Sequence, residues 1–379
     1  MAARYAALAC NWDVHLLQAS LPLWETGEVD ALEWAFDTLF QYESFPDWFD
    51  ELLRTYGEAG RLVGHGVFFS LFSGRWSSEQ QAWLNQLRTL AGRYRFDHVT
   101  EHFGFMTGAD FHKGAPLSVP LTATTLAIGQ DRLRRIQDAA SCPAGLENLA
   151  FAYSLEEVKR QGDYLHRLVE PVNGFLILDL HNLYCQHHNF KVSFEDLLAL
   201  YPLDRVREIH LSGGSWEPSA IEPGRTIRRD THDDRVPARL FDWLETAIDR
   251  CPTIKYIVLE QIGGSLETVE AQAGFAADFR RLNAIVQGTN KTADFAGHPT
   301  CLPDSSILTQ KPPLEDQSLY EQQRALAAIL ETATDCQHAR ALLATSNLAN
   351  SAWEVESWQP AMLETAIAIA QKWRNGFDD

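Results

Sequence analysis

The sequence predicts an α/β fold, a TIM-like (β/α)8 barrel followed by a C-terminal helical extension. Short apolar strands alternate with amphipathic helices along most of the 379 residues, and this alternation is typical of a parallel sheet that closes into a barrel. A barrel occupies about 250 residues, so the chain has room for one barrel and an appendage. Apolar residues make up 45% of the chain, which is enough for a large core.

Seven segments have the length and apolar character of barrel strands. They are 5–12, 61–72, 96–105, 145–153, 174–184, 205–213 and 254–262. The eighth strand is expected near 224–232. The N-terminal apolar run is too short for a signal peptide and no small-residue cleavage site follows it, so it is interpreted as the first strand.

Helical patterns lie between most of these strands. They cover 29–57, 77–94, 125–140, 154–169, 193–201 and 237–250. Ser154 and Ser193 are each followed by acidic residues, as helix N-caps are. A further helix at 265–286 is expected to close the barrel.

The chain is predicted to have three parts. The metallo-barrel covers 1–286, a linker covers 287–317 and the helical C-terminal extension covers 318–379. The linker is predicted because Gly, Pro, Thr and Asn occur there without periodicity. Helical periodicity then returns in three segments, beginning with SLYEQQRALAAILETA.

Charge and composition exclude some classes of function. The net charge is −19, and a surface this negative repels the phosphate backbone of DNA or RNA, so no nucleic-acid substrate is expected. No stretch approaches the roughly 18 apolar residues of a membrane span. The 6 cysteines contain no CxxC pair, which indicates reduced thiols and a cytoplasmic location.

Polar side chains occur at nearly every predicted strand end, where TIM barrels carry their active sites. Imidazole and carboxylate groups without thiolate suit Zn, Mn or Fe rather than an iron–sulfur cluster. Nine such groups exceed the needs of one ion, so two or three ions with a bridging carboxylate are expected. The nine are His65, His102, Glu147, Asp179, Asn182, His210, Asp230, His232 and Glu260.

Each residue taken alone has a simpler interpretation. A histidine near a strand end is more often a hydrogen-bonded structural residue than a ligand. Glu147 and Glu260 could form ion pairs with helix arginines, and Asp179 could cap a helix. A carboxylate in an apolar strand is costly to bury unpaired, and a metal ion offsets that cost. The joint pattern therefore favours a metal site.

Several motifs resemble those of the multinuclear non-heme iron-dependent oxidases, a family of xylose-isomerase-like barrels. The resemblance covers roughly 5–285, and the pair DTHD and EIHLSG is its most specific part. The other motifs are HGVFFSL, the EHF of VTEHFGF, LEN, LDLHNLY and VLE.

The resemblance implies that the nine residues bind two or three irons in a mixed-valent state, with Glu147 as a bridge and with Glu147, His210 and Asp230 as catalytic residues. Dioxygen is the implied co-substrate. The implied reaction oxidises a residue, usually cysteine, of a ribosomally synthesised precursor peptide in natural product biosynthesis. Members usually need a partner protein that captures the leader peptide. The segment beginning SLYEQQRALAAIL resembles the first helix of such partners, but a stabilising cap or an oligomer contact is an equal alternative.

The chain departs from the family pattern at three places. His181 stands where the family usually has Asn, and Gly214 stands where it often has His. Gln261 and Ile262 follow the last glutamate, where the family often has Trp or Arg and then Asp. His181 is therefore either a further ligand or a neighbour of the site. The three departures also indicate a divergent branch of the family that acts on its own substrate.

Three other functions are alternatives to a peptide oxidase. A sugar isomerase or epimerase of the same barrel superfamily would use Zn or Mn and would need a lysine or a glutamate pair for proton transfer, but no lysine ends a predicted strand. A metal-dependent endonuclease is disfavoured by the negative charge. A barrel that only binds a peptide or partner is disfavoured because the ligand positions are intact.

Overall fold

The computed structural model describes residues 3–40, 42, 44–106, 116–290 and 311–374. Eight parallel strands form a closed barrel, as predicted. They are β1 (Tyr5–Ala9), β2 (Ala31–Trp34), β3 (Leu62–His65), β4 (Val99–His102), β5 (Ala144–Glu147), β6 (Phe175–Asp179), β7 (Val206–Leu211) and β8 (Tyr256–Leu259).

The strands follow chain order around the barrel, and β1 closes it by pairing with both β2 and β8. Because all pairs are parallel, every strand delivers its carboxyl end to the same mouth. The register sets His102 on β4 beside Glu147 on β5, and Asp179 on β6 beside His210 on β7. Residues far apart in sequence therefore meet at one end of the barrel.

Helices surround the barrel and continue beyond it. They are α1 (Val14–Glu25), α2 (Asp47–Glu58), α3 (Ser78–Arg93), α4 (Ala123–Ala140), α5 (Leu155–Val169), α6 (Leu180–Phe190), α7 (Phe194–Leu198), α8 (Ala238–Arg250), α9 (Val269–Asn290), α10 (Gln317–Thr332), α11 (Cys336–Thr345) and α12 (Pro360–Lys372). Ser154 and Ser193 cap α5 and α7 as predicted. In the described part of the chain, no helix is both long and apolar enough to cross a membrane.

The position of the eighth strand was predicted wrongly. Residues 224–232 lie outside the barrel sheet, where the strand 226–228 pairs antiparallel with 216–218 in a hairpin after β7. The missing barrel strand is β2, inside the segment 29–57 that was predicted to be helical. Four residues are too few to show a clear alternation of apolar and polar side chains. The acidic residues around this strand resemble the solvated face of a helix.

Other boundaries also differ from the prediction, and two of them affect the site or the domain division. The predicted strand 174–184 ends at Asp179, and α6 begins at the next residue. The chain therefore turns from strand to helix within the motif LDLHNLY. Helix α9 runs to Asn290, into the predicted linker, and 291–310 lie outside the described residues.

The C-terminal helices pack on the barrel through buried polar contacts as well as apolar ones. Gln323 of α10 accepts a hydrogen bond from Gly74 N at 2.9 Å and donates to Phe72 O at 2.7 Å. Leu326 and Leu330 of α10 belong to the same buried cluster as the barrel helices. The domain boundaries at 286 and 317 stay a prediction. The helices after residue 317 share the hydrophobic core of the barrel.

Candidate metal centre

His65, His102 and Glu147 end three neighbouring strands and meet at the barrel mouth. His65 Nε2 lies 3.3 Å from Glu147 Oε2, and His102 Nε2 lies 3.6 Å from the same oxygen. The two imidazole centroids are 4.7 Å apart. The candidate ligand atoms of the three residues lie within 4.8 Å of one another, which is a spacing suited to one shared ion.

Hydrogen bonds fix how these two histidines present their nitrogens. His102 Nδ1 lies 3.0 Å from Gly66 O, a carbonyl that can only accept, so Nδ1 carries the hydrogen. Thr100 Oγ1 donates to Gly64 O at 3.2 Å and can therefore accept from His65 Nδ1 at 2.8 Å. In the neutral form of both rings, Nε2 therefore has the lone pair that a metal ligand requires.

Asp179 and Asn182 join the same centre because β6 ends at Asp179. Asp179 Oδ1 caps α6 by accepting from Asn182 N at 2.5 Å, and this turn brings Asn182 Nδ2 to 3.1 Å from Glu147 Oε1. Asp179 Oδ2 and Asn182 Oδ1 are buried and have no hydrogen-bond partner among the described residues. An unpaired buried oxygen is costly, and a cation would offset that cost at both atoms.

His210 and Glu260 form the adjacent part of the centre together with Glu33, which the sequence analysis missed. His210 Nδ1 lies 3.1 Å from Glu260 Oε2, and His210 Nε2 lies 3.1 Å from Glu33 Oε2. Buried Glu208 is 3.4 Å from the same Nε2. The candidate ligand atoms of Glu33, His210 and Glu260 again lie within 4.8 Å of one another. Glu33 was missed because its strand was predicted to be a helix.

Asp230 and His232 reach the centre from the loop after the 216–228 hairpin, and not from a barrel strand as predicted. His232 Nδ1 lies 3.8 Å from Glu260 Oε2, and His232 Nε2 lies 3.0 Å from Asp230 Oδ1. His232 has a left-handed backbone with φ of 52°, and its ring faces Glu260 just after β8. Ile262 N donates to His232 O at 2.9 Å and ties this loop to the end of β8.

A third set of candidate ligand atoms links the parts into one centre. Glu147, Asp179 and His210 also lie within 4.8 Å of one another, so Glu147 and His210 each belong to two of the three sets. The structure thus brings together all nine predicted residues, which are His65, His102, Glu147, Asp179, Asn182, His210, Asp230, His232 and Glu260.

The electrostatics of the centre suit cations. Burial raises the pKa of Asp179 well above its usual range, and the charges of Asp230 and Glu147 raise it further. Burial alone would lower the pKa of His210, but Glu33 and Glu260 raise it well above its usual range. Bound cations would stabilise these crowded carboxylates, so the donor set fits one or more transition-metal ions.

A cavity of about 810 Å³ opens above these ligands. It is near the upper end of the roughly 300–1,000 Å³ typical of ligand pockets. His65, His102 and Asp230 lie on its floor, together with Asn182, His232 and Glu260. Its walls include Phe151, Ile227 and residues of α12. The centre is therefore accessible to a substrate larger than a small sugar.

Comparison with known proteins identifies the family. The sequence signature of the family described as RiPP precursor modification enzyme MbnB/TglH/ChrH matches residues 24–265. The chain belongs to this family. RiPP denotes a ribosomally synthesised and post-translationally modified peptide.

Relatives in this family are distant. A UPF0276 protein of Caulobacter vibrioides is 28% identical over 187 residues, which are 49% of this chain and 64% of the relative. A UPF0276 protein of Acaryochloris marina is 31% identical over 189 residues, again 49% of this chain and 64% of the relative. The chain thus spans slightly less than two thirds of the length of these relatives.

Solved structures of low sequence identity resemble this chain. The IOLI protein with a bound zinc atom has a TM-score of 0.50 and 14% identity, over 74% of this chain and 98% of that chain. An L-ribulose 3-epimerase has a TM-score of 0.47 and 12% identity, over 76% of this chain and 96% of that chain. The first likeness supports the barrel fold of this chain.

His181, where the family usually has Asn, is engaged at both ring nitrogens by protein atoms. Arg228 Nε donates to His181 Nε2 at 3.0 Å, so Nε2 accepts and the hydrogen lies on Nδ1. Nδ1 then donates to Asp230 Oδ1 at 2.8 Å. Arg228 is itself held over the rings of Tyr184 and Trp216, at 5.5 and 4.8 Å. In this arrangement both ring nitrogens of His181 are hydrogen-bonded to protein atoms, and Nδ1 contacts Asp230.

Gly214, where the family often has His, is explained by the same neighbourhood. A Cβ atom on Gly214 would lie 2.2 Å from Arg229 O and 2.8 Å from His181 Cε1. The hairpin and the His181 ring thus occupy the space of a side chain here, so the two departures fit together. Gln261 Nε2 donates to Ser265 Oγ at 2.9 Å, whereas Ile262 lines the cavity.

Proposed function

We propose that this protein is a multinuclear iron-dependent oxidase that uses dioxygen to modify a residue, expected to be cysteine, of a ribosomally synthesised precursor peptide. The observation that carries the proposal is that Glu147 and His210 each belong to two of the three sets of candidate ligands. Such sharing favours two or three ions over one. Membership of a family of precursor peptide modification enzymes supports the peptide as substrate.

The nine residues of the centre would hold the irons, and Glu147, which belongs to two of the three ligand sets, would be their shared ligand. Bound in a mixed-valent state, two or three irons would supply activation of dioxygen, which accepts the electrons that the peptide loses. The residues proposed as catalytic are Glu147, His210 and Asp230. Glu147 lies between the His65/His102 pair and Asp179, and His210 lies between Glu33 and Glu260.

The remaining part of the site would orient the substrate and exclude bulk water. A thiol binds metal as its thiolate, so its proton must pass to a base at the mouth. Asp230 lines the cavity with a carboxylate that is 23% exposed, and His181 fixes the direction of this carboxylate. Burial alone would raise the pKa of Asp230, but His232 and His181 hold it well below its usual range, so this carboxylate would stay ionised at the mouth. The apolar walls would keep the reacting group away from solvent.

Capture of the leader peptide is proposed for a separate partner protein or for the 318–379 extension in its place. A Zn- or Mn-dependent sugar isomerase or epimerase is the alternative function. Among the described residues that line the cavity, the lysine is Lys372 of α12, which is at no strand end. Proton transfer by a lysine at a sugar carbon is therefore not supported. The other route, a glutamate pair, has Glu147 and Glu260 at the strand ends, so the experiment below has to separate the two functions.

Peptide masses test the proposal. The protein should be co-expressed with the Cys-containing peptides encoded beside it, with and without the change Glu147→Ala. We expect a mass change that needs iron and dioxygen and is lost in Glu147→Ala. The matched control is Glu245→Ala, which changes an exposed glutamate on α8 and should leave the reaction intact. Unchanged peptides, with interconversion of sugars in the presence of Zn or Mn, would replace the oxidase by the isomerase.

A further inference from the structure

One face of α12 forms part of the cavity above the metal centre. Met362, Thr365, Ile369 and Lys372 line the cavity, and Trp373 follows them. Their spacing of three or four residues places them on one side of a helix. Ala368 is exposed, so it lies outside the buried face of the same helix. The C-terminal helices thus contribute side chains to the space that a substrate must occupy.

The approach to α12 is anchored to the loop after β5. The Trp358 ring stacks on Tyr153 with centroids 3.7 Å apart and planes 8° apart. Gln359 N donates to Tyr153 O at 3.0 Å at the start of α12. The same loop contributes Phe151 to the cavity lining, so one segment both fixes the helix and lines the same cavity.

The second anchor is the 216–228 hairpin. The Glu364 carboxylate accepts from Ser219 Oγ at 2.6 Å and from Ala220 N at 3.0 Å. Arg225 Nη2 donates to Gln359 Oε1 at 3.1 Å. This hairpin leads directly into the loop that carries Asp230. The wall formed by α12 is therefore held in a fixed relation to the metal centre.

We propose that α12 determines substrate specificity by holding an apolar side chain that flanks the modified residue of the peptide. This inference rests on the proposed function, because it takes the peptide as the occupant. The cavity is continuous from His65, His102 and Asp230 to the α12 face, so a chain that reacts at the ligands and fills the cavity contacts α12. Met362 and Ile369 line this cavity with apolar groups, as do Phe151 and Ile227, and such a lining suits a bulky apolar side chain.

The test compares two changes on neighbouring positions of α12. Ile369→Asp places a charge on the cavity face, and Ala368→Asp places the same charge on the exposed side. Binding is measured anaerobically with the fluorescein-labelled Cys-containing peptide of the co-expression experiment, and turnover is measured by mass. We expect Ile369→Asp to raise the Kd and KM about tenfold or more, because an apolar contact is replaced by a charge that must be desolvated.

The expected pattern has three further parts. Iron content and kcat stay at the wild-type level in Ile369→Asp, Ala368→Asp behaves as wild type, and Ile369→Leu restores binding. Replacing the flanking apolar residue of the peptide by Ala should remove most of the difference between wild type and Ile369→Asp.

Equal peptide affinity in wild type and Ile369→Asp would overturn the inference. So would a loss of affinity that occurs equally in Ala368→Asp. A peptide that binds with this pattern but never changes mass would overturn the proposed oxidase activity and leave the role of α12 in peptide specificity intact. The two failures can therefore be told apart.

Discussion

His181 shows how a single departure from a family pattern can be interpreted once its neighbours are known. The residue was recognised in the sequence as either a ligand or a neighbour. Arg228, which decides between them, lies in a hairpin that was predicted to be a barrel strand. The choice therefore depended on a tertiary contact between segments 47 residues apart, which sequence spacing alone does not reveal.

Changing His181 should weaken metal binding without removing a ligand. His181→Phe leaves Asp230 without its donor at 2.8 Å. Loss of such an outer hydrogen bond typically costs about 10–100-fold in metal affinity. We expect this range when iron is titrated against a competing chelator, and we expect His181→Asn, which keeps a donor, to recover much of the loss.

The matched control for this change is His166→Phe, on the outer helix α5, which should bind iron as wild type does. An iron affinity in His181→Phe that equals that of the wild type would show that His181 does not position Asp230.

Among the elements of the fold, β2 shows what the pattern could not predict. Ala31–Trp34 is buried throughout and pairs with β1 and β3, yet its four residues carry too little periodicity to be told from a helix. Misplacing this strand concealed Glu33. The longer strands were easier to recognise, and His65, His102, Glu147, Asp179 and Glu260 were found because they lie at or beside the ends of those strands.

The amino end of the barrel is stabilised by a polar network that joins three strands. Asp97, just before β4, accepts a hydrogen bond from Arg207 Nη2 of β7 at 2.8 Å and pairs with Lys255, just before β8. Burial alone would raise the pKa of Asp97, but His98, Arg207 and Lys255 hold it well below its usual range. The charged form is thus favoured in the folded protein.

Because the folded-state pKa of Asp97 is depressed, its contribution to stability is present above the unfolded pKa of about 3.9 and is lost as the pH falls through the folded value. We expect Asp97→Asn to lower the free energy of unfolding at pH 7 by about 3 kcal/mol, since it breaks a largely buried ion pair. The difference from wild type should shrink below about pH 4. Urea denaturation at several pH values measures both quantities.

Asp242→Asn is the control, because the Asp242 side chain is 78% exposed and its nearest paired nitrogen is 4.0 Å away. It should change the stability by less than about 0.5 kcal/mol. A loss in Asp97→Asn that is the same at every pH would contradict a stabilising role for the ionised carboxylate.

For the molecule as a whole, the alternation of strands and helices predicted the closed barrel and the C-terminal helices. The docking of α12 over the mouth was not predicted, because nothing in its apolar spacing shows which surface it covers. The cavity therefore has a floor of predicted ligands and a wall from a segment whose role was left open. The barrel strands thus supply the metal centre, and α12 lines part of the cavity above it.

The central claim is that the barrel mouth holds more than one iron. The most direct measurement is the iron content of protein expressed with iron and purified without oxygen, determined by elemental analysis against protein concentration. Glu147 and His210 each belong to two of the three sets of candidate ligands. We therefore expect two or three irons per chain, and fewer in Glu147→Ala. A wild-type chain that holds a single ion, or no transition metal, would contradict the account.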